Sequence, residues 1–218
     1  FEYMRWIAAV LDSHIQTHLN PEKLRITHLG GGACSLARYC ADVYPNSRNT
    51  VVELDAKLAE YVREWFDIPK SPRVKIRVGD AGTVTRSFAP ASRDVVIRDV
   101  FAVDKTPAEL TSVDFVRAVD HSMAPGGLYI LNCGDGPSLD GARAEVAALF
   151  EVFEQVCLVA DAAMFKGRRR GNIIIAASHS PLPAAGSAEA AAISRTLMGG
   201  GVPAQYRDSA QTRQFARL

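Results

Sequence analysis

The sequence predicts an open, doubly wound α/β sheet of about seven strands, mostly parallel and ending in an antiparallel hairpin. Three observations predict it. Apolar runs rich in Val, Ile and Leu recur along the chain between helical segments, as strands buried on both faces require. A glycine triplet, Gly30-Gly31-Gly32, stands where the first of these runs turns into a helix. Near the end, two strand-like runs are joined by a link too short for a crossover helix.

The elements follow in order. Phe1, Met4, Ile7, Ala8, Leu11, Ile15 and Leu19 share one helical stripe with Glu2, Asp12 and Gln16 opposite, and Asn20-Pro21 stops that helix. Residue 1 is Phe and the helical pattern is already under way there, so the numbering is expected to start inside a longer natural chain. Residues 24–29 read as a strand, followed by the glycine turn and a helix from about Cys34. Residues 50–54, 74–78, 94–97 and 128–132 read as further strands, with a helical stripe over 56–66 closed by Pro69. Residues 152–159 and 172–177 are the two runs that pair antiparallel across Phe165-Lys166-Gly167-Arg168-Arg169-Arg170-Gly171. This layout resembles that of class I methyltransferase-like folds. After Pro181-Leu182-Pro183 come an Ala-rich helix, Gly199-Gly200-Gly201 and a last helix over 208–216, so residues 1–183 are expected to form the main domain and 184–218 a helical appendage packed on it.

A length of 218 residues fits that plan, and a hydrophobic fraction of 48% supplies a sizeable core. The 25 basic and 24 acidic side chains leave a formal net charge of +1, which points to neither nucleic acid nor a membrane surface as partner. Cys34, Cys40, Cys133 and Cys157 form no CxxC pair and sit in apolar surroundings, as free intracellular thiols do. No segment reads as membrane-spanning or as a signal peptide, and the expected location is cytoplasmic.

The chemistry gathers at the strand ends. Glycine at positions 30, 31 and 32 permits positive φ and lets a ligand reach bare amides at a helix N-terminus, although a tight turn wants glycine without any ligand. Glu53, ending the second strand about 20 residues later, can accept both ribose hydroxyls; the alternative role, a charge at the next helix N-terminus, fits Asp55 better. After the third strand, the Asp80 carboxylate can accept from an adenine amino group while the Ala81 amide donates to a ring nitrogen, or Asp80 is simply a helix N-cap. The three sites together predict nucleoside binding. Gly30, Gly32 and Ser35 nearly spell a dinucleotide fingerprint, which keeps NAD in view, but Ser35 takes the place of its third glycine or alanine, and Asp80 and the terminal hairpin favour an adenosyl-sulfonium ligand.

With these residues placed, the chain resembles the spermidine-synthase (polyamine aminopropyltransferase) superfamily. It is most similar to spermidine synthase-like proteins of actinobacteria and to the catalytic domain of fused versions. The resemblance runs from Phe1 to about Pro183. It rests on His28-Leu29-Gly30-Gly31-Gly32, Val51-Val52-Glu53-Leu54-Asp55, Gly79-Asp80-Ala81, Asp94-Val95-Val96-Ile97-Arg98-Asp99 and the turn Ala124-Pro125-Gly126-Gly127. It implies transfer of an aminopropyl group from decarboxylated S-adenosylmethionine to a small-molecule amine, without a metal. Asp99 would be the base, Glu53 would hold the ribose, and Asp80 with the Ala81 amide would hold the adenine. An alkylamine is protonated near neutral pH and cannot attack until a base relieves it.

Two positions depart from the family pattern. The acid expected directly after the glycine triplet is Ala33, and the second acid expected three residues after the base is Ala102. Asp104 is the nearest substitute, unless it pairs with Lys105 or stands exposed. The family's small N-terminal β domain is not among these residues, and a homodimer is implied by resemblance alone. Two other readings stand beside this one: a methyltransferase using S-adenosylmethionine itself, and a non-catalytic nucleoside-binding or scaffold relative.

Several signals have plainer explanations. His14 and His18 have metal-ligand spacing but flank the apolar stripe, and His28 inside the first strand reads as a buried imidazole. Lys166 with Arg168 to Arg170 reads as a solvated hairpin tip. Arg98 either holds Asp99 ionised or, by strand alternation, points to the opposite face. Asp135 either lines the pocket or makes a turn.

Overall fold

The computed structural model describes residues 1–103 and 105–218, so Asp104, the expected substitute carboxylate, lies outside the described residues. The first half runs α1 (Glu2–His18), β1 (Arg25–Leu29), α2 (Ser35–Val43), β2 (Arg48–Glu53), α3 (Ala56–Trp65), β3 (Val74–Val78), α4 (Ala81–Arg86) and β4 (Arg93–Arg98). The second runs α5 (Val113–Ser122), β5 (Met123–Asp135), α6 (Asp140–Phe150), β6 (Gln155–Ala160), α7 (Ala162–Phe165), β7 (Gly171–Ser178), α8 (Ala188–Met198), β8 (Gln205–Arg207) and α9 (Ser209–Ala216).

The described residues form one sheet in the order β3-β2-β1-β4-β5-β7-β6-β8. Strands β1 to β5 pair in parallel, and β7 pairs antiparallel with both β5 and β6. The sheet therefore has eight strands, not the expected seven. The extra one, β8, pairs Arg207, Tyr206 and Gln205 with Leu158, Val159 and Ala160. Three residues are too few to display an alternation, and β8 is defined by its pairing on the outer edge of β6.

Each central strand feeds two cores. Val95 and Ile97 of β4 and Leu128 and Ile130 of β5 pack with Trp6, Ile7, Leu11 and Ile15 of α1, beside Ile193 and Leu197 of α8. Val96, Tyr129 and Leu131 face the other way, onto Phe115 and Val119 of α5 and Val146 and Leu149 of α6. Burying each such Leu, Ile or Phe contributes about 1.5–3 kcal/mol, so both faces hold the sheet. Ala124-Pro125-Gly126-Gly127 lies within the 13-residue β5 as an irregularity, where the register against β4 jumps from Arg93↔Met123 to Val95↔Leu128.

Beyond β7, the His179 ring joins two carboxylates, meeting Asp120 of α5 at 2.8 Å through Nε2 and Glu154, ahead of β6, through Nδ1. Burial opposes the imidazolium most strongly, but the hydrogen bonds to Glu154 and Asp120 together with the charges of those carboxylates outweigh it and raise the His179 pKa. A raised folded-state pKa stabilises below the unfolded value of about 6.5 and loses that contribution as pH rises through the folded value. The melting-temperature gap between the protein and His179→Gln should therefore be larger near pH ~5.5 than near pH ~8.5. A gap that widens on raising the pH would contradict the assignment.

Candidate functional site

The chain winds outward from β1 through β2 to β3, then returns to place β4 on the other side of β1. At such a reversal the loops leaving the strands part in opposite directions and open a crevice at the carboxyl ends. The Asp99 amide donates to the Leu29 carbonyl at 2.8 Å, and the Gly30 amide donates to the Val52 carbonyl at 3.0 Å. Gly30 has φ +86°, and a Cβ there would lie 2.2 Å from the Asp99 carbonyl oxygen, so only glycine fits where the two loops cross.

Glu53 ends β2 facing this turn. Its Oε2 accepts from the Gly31 and Gly32 amides, both at 3.0 Å, and its Oε1 accepts from the Asp55 amide at 3.0 Å. Asp55 caps α3, accepting from the Lys57 and Leu58 amides at 2.9 and 3.1 Å. Asp80 caps α4 through the Thr83 amide at 2.7 Å, a bond that holds its carboxyl below the usual range. Ala81 opens α4, a position whose amide has no acceptor within the helix. Gly30, Gly32, Glu53, Asp80, Ala81 and Asp99 all line one cavity of about 610 Å³. Gly31 lines a smaller neighbour of about 220 Å³, which shares Tyr3, Gly30, Gly32 and Asp99 with the larger one.

Asp99 sits at the junction. Its Oδ2 accepts from the Tyr3 hydroxyl at 2.8 Å and its Oδ1 from the Asn132 amide at 3.0 Å. Burial, the adjacent Asp99 charge and this hydrogen bond push the Tyr3 phenol far up, so it stays a donor. Each carboxylate oxygen has two lone pairs, so one on each remains for a ligand. Tyr3 and Asn132 were not among the residues expected here. Tyr3 lies beside the apolar stripe of α1, and Asn132 is a polar residue inside a buried run, which is the one local signal that marks it.

The charge of the larger cavity is one-sided. Glu53, Asp55, Asp80, Asp99 and Glu109 line it, and among its described lining residues there is no Lys, Arg or His. Glu109 is partly offset by Arg86 at 2.7 Å from outside the lining. Arg98 points away from Asp99, as alternation requires. It is fully buried, donating to Glu145 at 2.5 Å and to the Leu110 carbonyl at 2.6 Å, and so pins the short turn Ala108–Thr111 that forms one wall.

The residues set aside take structural places. His14 and His18 meet the Gly126 and Pro181 carbonyls at 2.8 and 2.9 Å, and burial pushes His14 down to about 4. His28 meets Asn49 at 3.0 Å and is likewise pushed down to about 4 by burial, so it is neutral. Asp135 closes the turn into α6, accepting from the Gly136 and Ala142 amides at 2.7 Å, and does not line the cavity. Among the described residues no group of three His, Cys, Asp or Glu is arranged to hold a metal ion, all four cysteines are free, and no helix is long and apolar enough to cross a membrane.

Sheet order and strand directions define a class I methyltransferase-type α/β domain. No family model matches the chain. It is 60% identical to a probable spermidine synthase from Corynebacterium glutamicum ATCC 13032, over 99% of this chain and 77% of that one, with a TM-score of 0.97. The chain belongs to the spermidine-synthase family. The structure of human methyltransferase-like protein 13 in complex with SAH is 25% identical, over 92% of this chain and 94% of that one, with a TM-score of 0.70. A mouse eEF1A lysine and N-terminal methyltransferase is 31% identical over 141 residues, covering 60% of this chain and 20% of that protein. The chain thus spans about one fifth of the length of the curated relatives it matches first.

Proposed function

We propose that this chain is a transferase that moves an aminopropyl group from decarboxylated S-adenosylmethionine to a small-molecule amine. The observation that carries the reading is the carboxylate-only charge of the larger cavity. Decarboxylated S-adenosylmethionine brings a sulfonium and an ammonium to those acids. S-adenosylmethionine adds a carboxylate, which would face like charge with no cationic side chain to receive it, and each such mismatch costs on the order of 1–3 kcal/mol. Family membership supports the same activity.

The residues divide the work by position. Glu53 receives the ribose hydroxyls, and Asp80 with the Ala81 amide receives the adenine edge. The Gly30–Gly32 turn brings bare backbone against the ligand. Asp99, oriented by Tyr3 and Asn132, faces the amine at the junction of the two cavities. The amine nitrogen attacks the propyl carbon bound to sulfur, the carbon–sulfur bond breaks with its electron pair left on sulfur, and 5′-methylthioadenosine departs. The proton lost by nitrogen goes to Asp99.

Calorimetric titration with decarboxylated S-adenosylmethionine, S-adenosylmethionine, 5′-methylthioadenosine and NAD tests this. The decarboxylated ligand should bind about 10-fold or more tightly than S-adenosylmethionine, a difference of about 1.4 kcal/mol. Glu53→Ala should weaken every adenosyl ligand. Preference for S-adenosylmethionine would transfer the reading to methyl transfer, which the likeness to the human and mouse methyltransferases favours. Binding by none of the four would overturn both.

A further inference from the structure

A second charged surface lies away from the crevice, and its sign is opposite. On the face of the sheet that packs against α4 and α5, pairing sets Arg25 beside Arg48 and Thr50 beside Lys75, with Arg77 two residues further along β3. Arg93, opening β4, joins them with its guanidinium 4.1 Å from the centre of the Phe88 ring. The six-residue α4 covers Leu29 and Val52 through Val84, with Phe88 just after it. Beyond that cover Arg48, Lys75 and Arg77 stand exposed.

The nearby acids are already engaged. Asp94 accepts from the Arg25 guanidinium at 2.9 and 2.7 Å and from the Arg25 amide at 2.7 Å, and Glu22 accepts from the Asn46 side chain. Among the described residues Lys23, Arg48, Lys75, Arg77 and Arg93 form no ion pair. The Arg93 Nε is buried without a hydrogen-bond partner. Burial, then the like charges of Arg25 and Arg77, pull the Arg93 pKa down. A cavity of about 610 Å³ adjoins this surface at the amino ends of β1 and β2, between Lys23, Arg25 and Arg48.

We infer that this face binds a small, multiply charged phosphate anion, held between Arg48, Lys75, Arg77 and Arg93. The side chains select the class. Three of these four are arginines, whose planar forks meet two phosphate oxygens at once. A lone carboxylate would neutralise one cation and leave the others repelling, whereas a triphosphate brings several charges in one compact chain. An anion seated here also gives the buried Arg93 guanidinium the counter-charge that the fold withholds. This site is independent of the aminopropyl-transfer reading, since none of its residues lines the acidic cavity.

Sodium tripolyphosphate is the probe, titrated calorimetrically into the full chain at fixed ionic strength beside inorganic phosphate. Tripolyphosphate should bind about 10-fold or more tightly than phosphate. Arg48→Gln and Arg77→Gln should each weaken it about 10-fold. Both side chains are exposed and unpaired, so the variants keep the fold, which an unchanged melting temperature without the anion would confirm. Arg195→Gln, exposed on α8 at the opposite face of the sheet, should leave the affinity unchanged. ATP distinguishes the sources of the phosphate chain. Affinity equal to that of tripolyphosphate supports recognition of the chain alone, and tighter binding that survives Glu53→Ala supports a nucleotide. Tripolyphosphate binding no tighter than phosphate, or equally weakened by Arg195→Gln, overturns the inference. So does a single-stranded RNA that binds more tightly than tripolyphosphate and is weakened by the same two variants, which would make the face a nucleic-acid surface.

Discussion

Asp99→Asn should lower turnover, read as 5′-methylthioadenosine released from decarboxylated S-adenosylmethionine and amine, by about 10²- to 10⁴-fold, the usual weight of a positioned general base. The amide is nearly isosteric. Its oxygen can still accept from the Tyr3 hydroxyl, and a turned Asn132 side-chain amide can accept from the new NH2, so the crevice keeps its shape while losing the group that takes the proton. Nucleoside binding should be unchanged, because Glu53, Asp80 and the glycine turn do not depend on that proton. Full turnover in Asp99→Asn would remove Asp99 from the mechanism. Lost turnover together with lost 5′-methylthioadenosine binding would give it a structural part instead.

Arg98→Met should be the most damaging single change outside the crevice. Glu145, about 7% exposed at its side chain, would be left buried with no counter-charge, and the Leu110 carbonyl would lose its donor. Breaking a buried pair from one side costs about 3–5 kcal/mol. At about 2–4 °C per kcal/mol for a domain of this size, the melting temperature should fall by roughly 6–20 °C. Arg98→Met with Glu145→Leu should recover much of the loss, since two apolar groups need no pairing. A single-variant cost below about 1 kcal/mol would mean that water reaches Glu145 and that the pair does not hold the wall.

What the sequence displayed, and what it hid, follows from distance along the chain. The glycine turn, Glu53, Asp80 and Asp99 each end a strand, and strand ends are legible wherever an apolar run stops. Their meeting at one crevice follows from the winding rule alone. The partners of Asp99 were hidden because they lie 96 and 33 residues away and meet it only when α1 lies across the sheet and β5 docks on β4. Alternation correctly turned Arg98 from Asp99, yet its partner Glu145 is 47 residues on, in a helix whose packing the pattern did not specify. Local reading also left the role of Asp135 open, which its bonds to the Gly136 and Ala142 amides resolve.

The two margins of the sheet bear on whether another backbone can add to it. An open margin is a template on which a stranger's backbone can add. On one side that template ends in β8, only three residues long, with α8 and α9 close by. On the other, β3 presents exposed Lys75 and Arg77, and such charges discourage strand addition. Neither margin offers a long, neutral ledge. Fibrous growth by main-chain pairing is thereby discouraged.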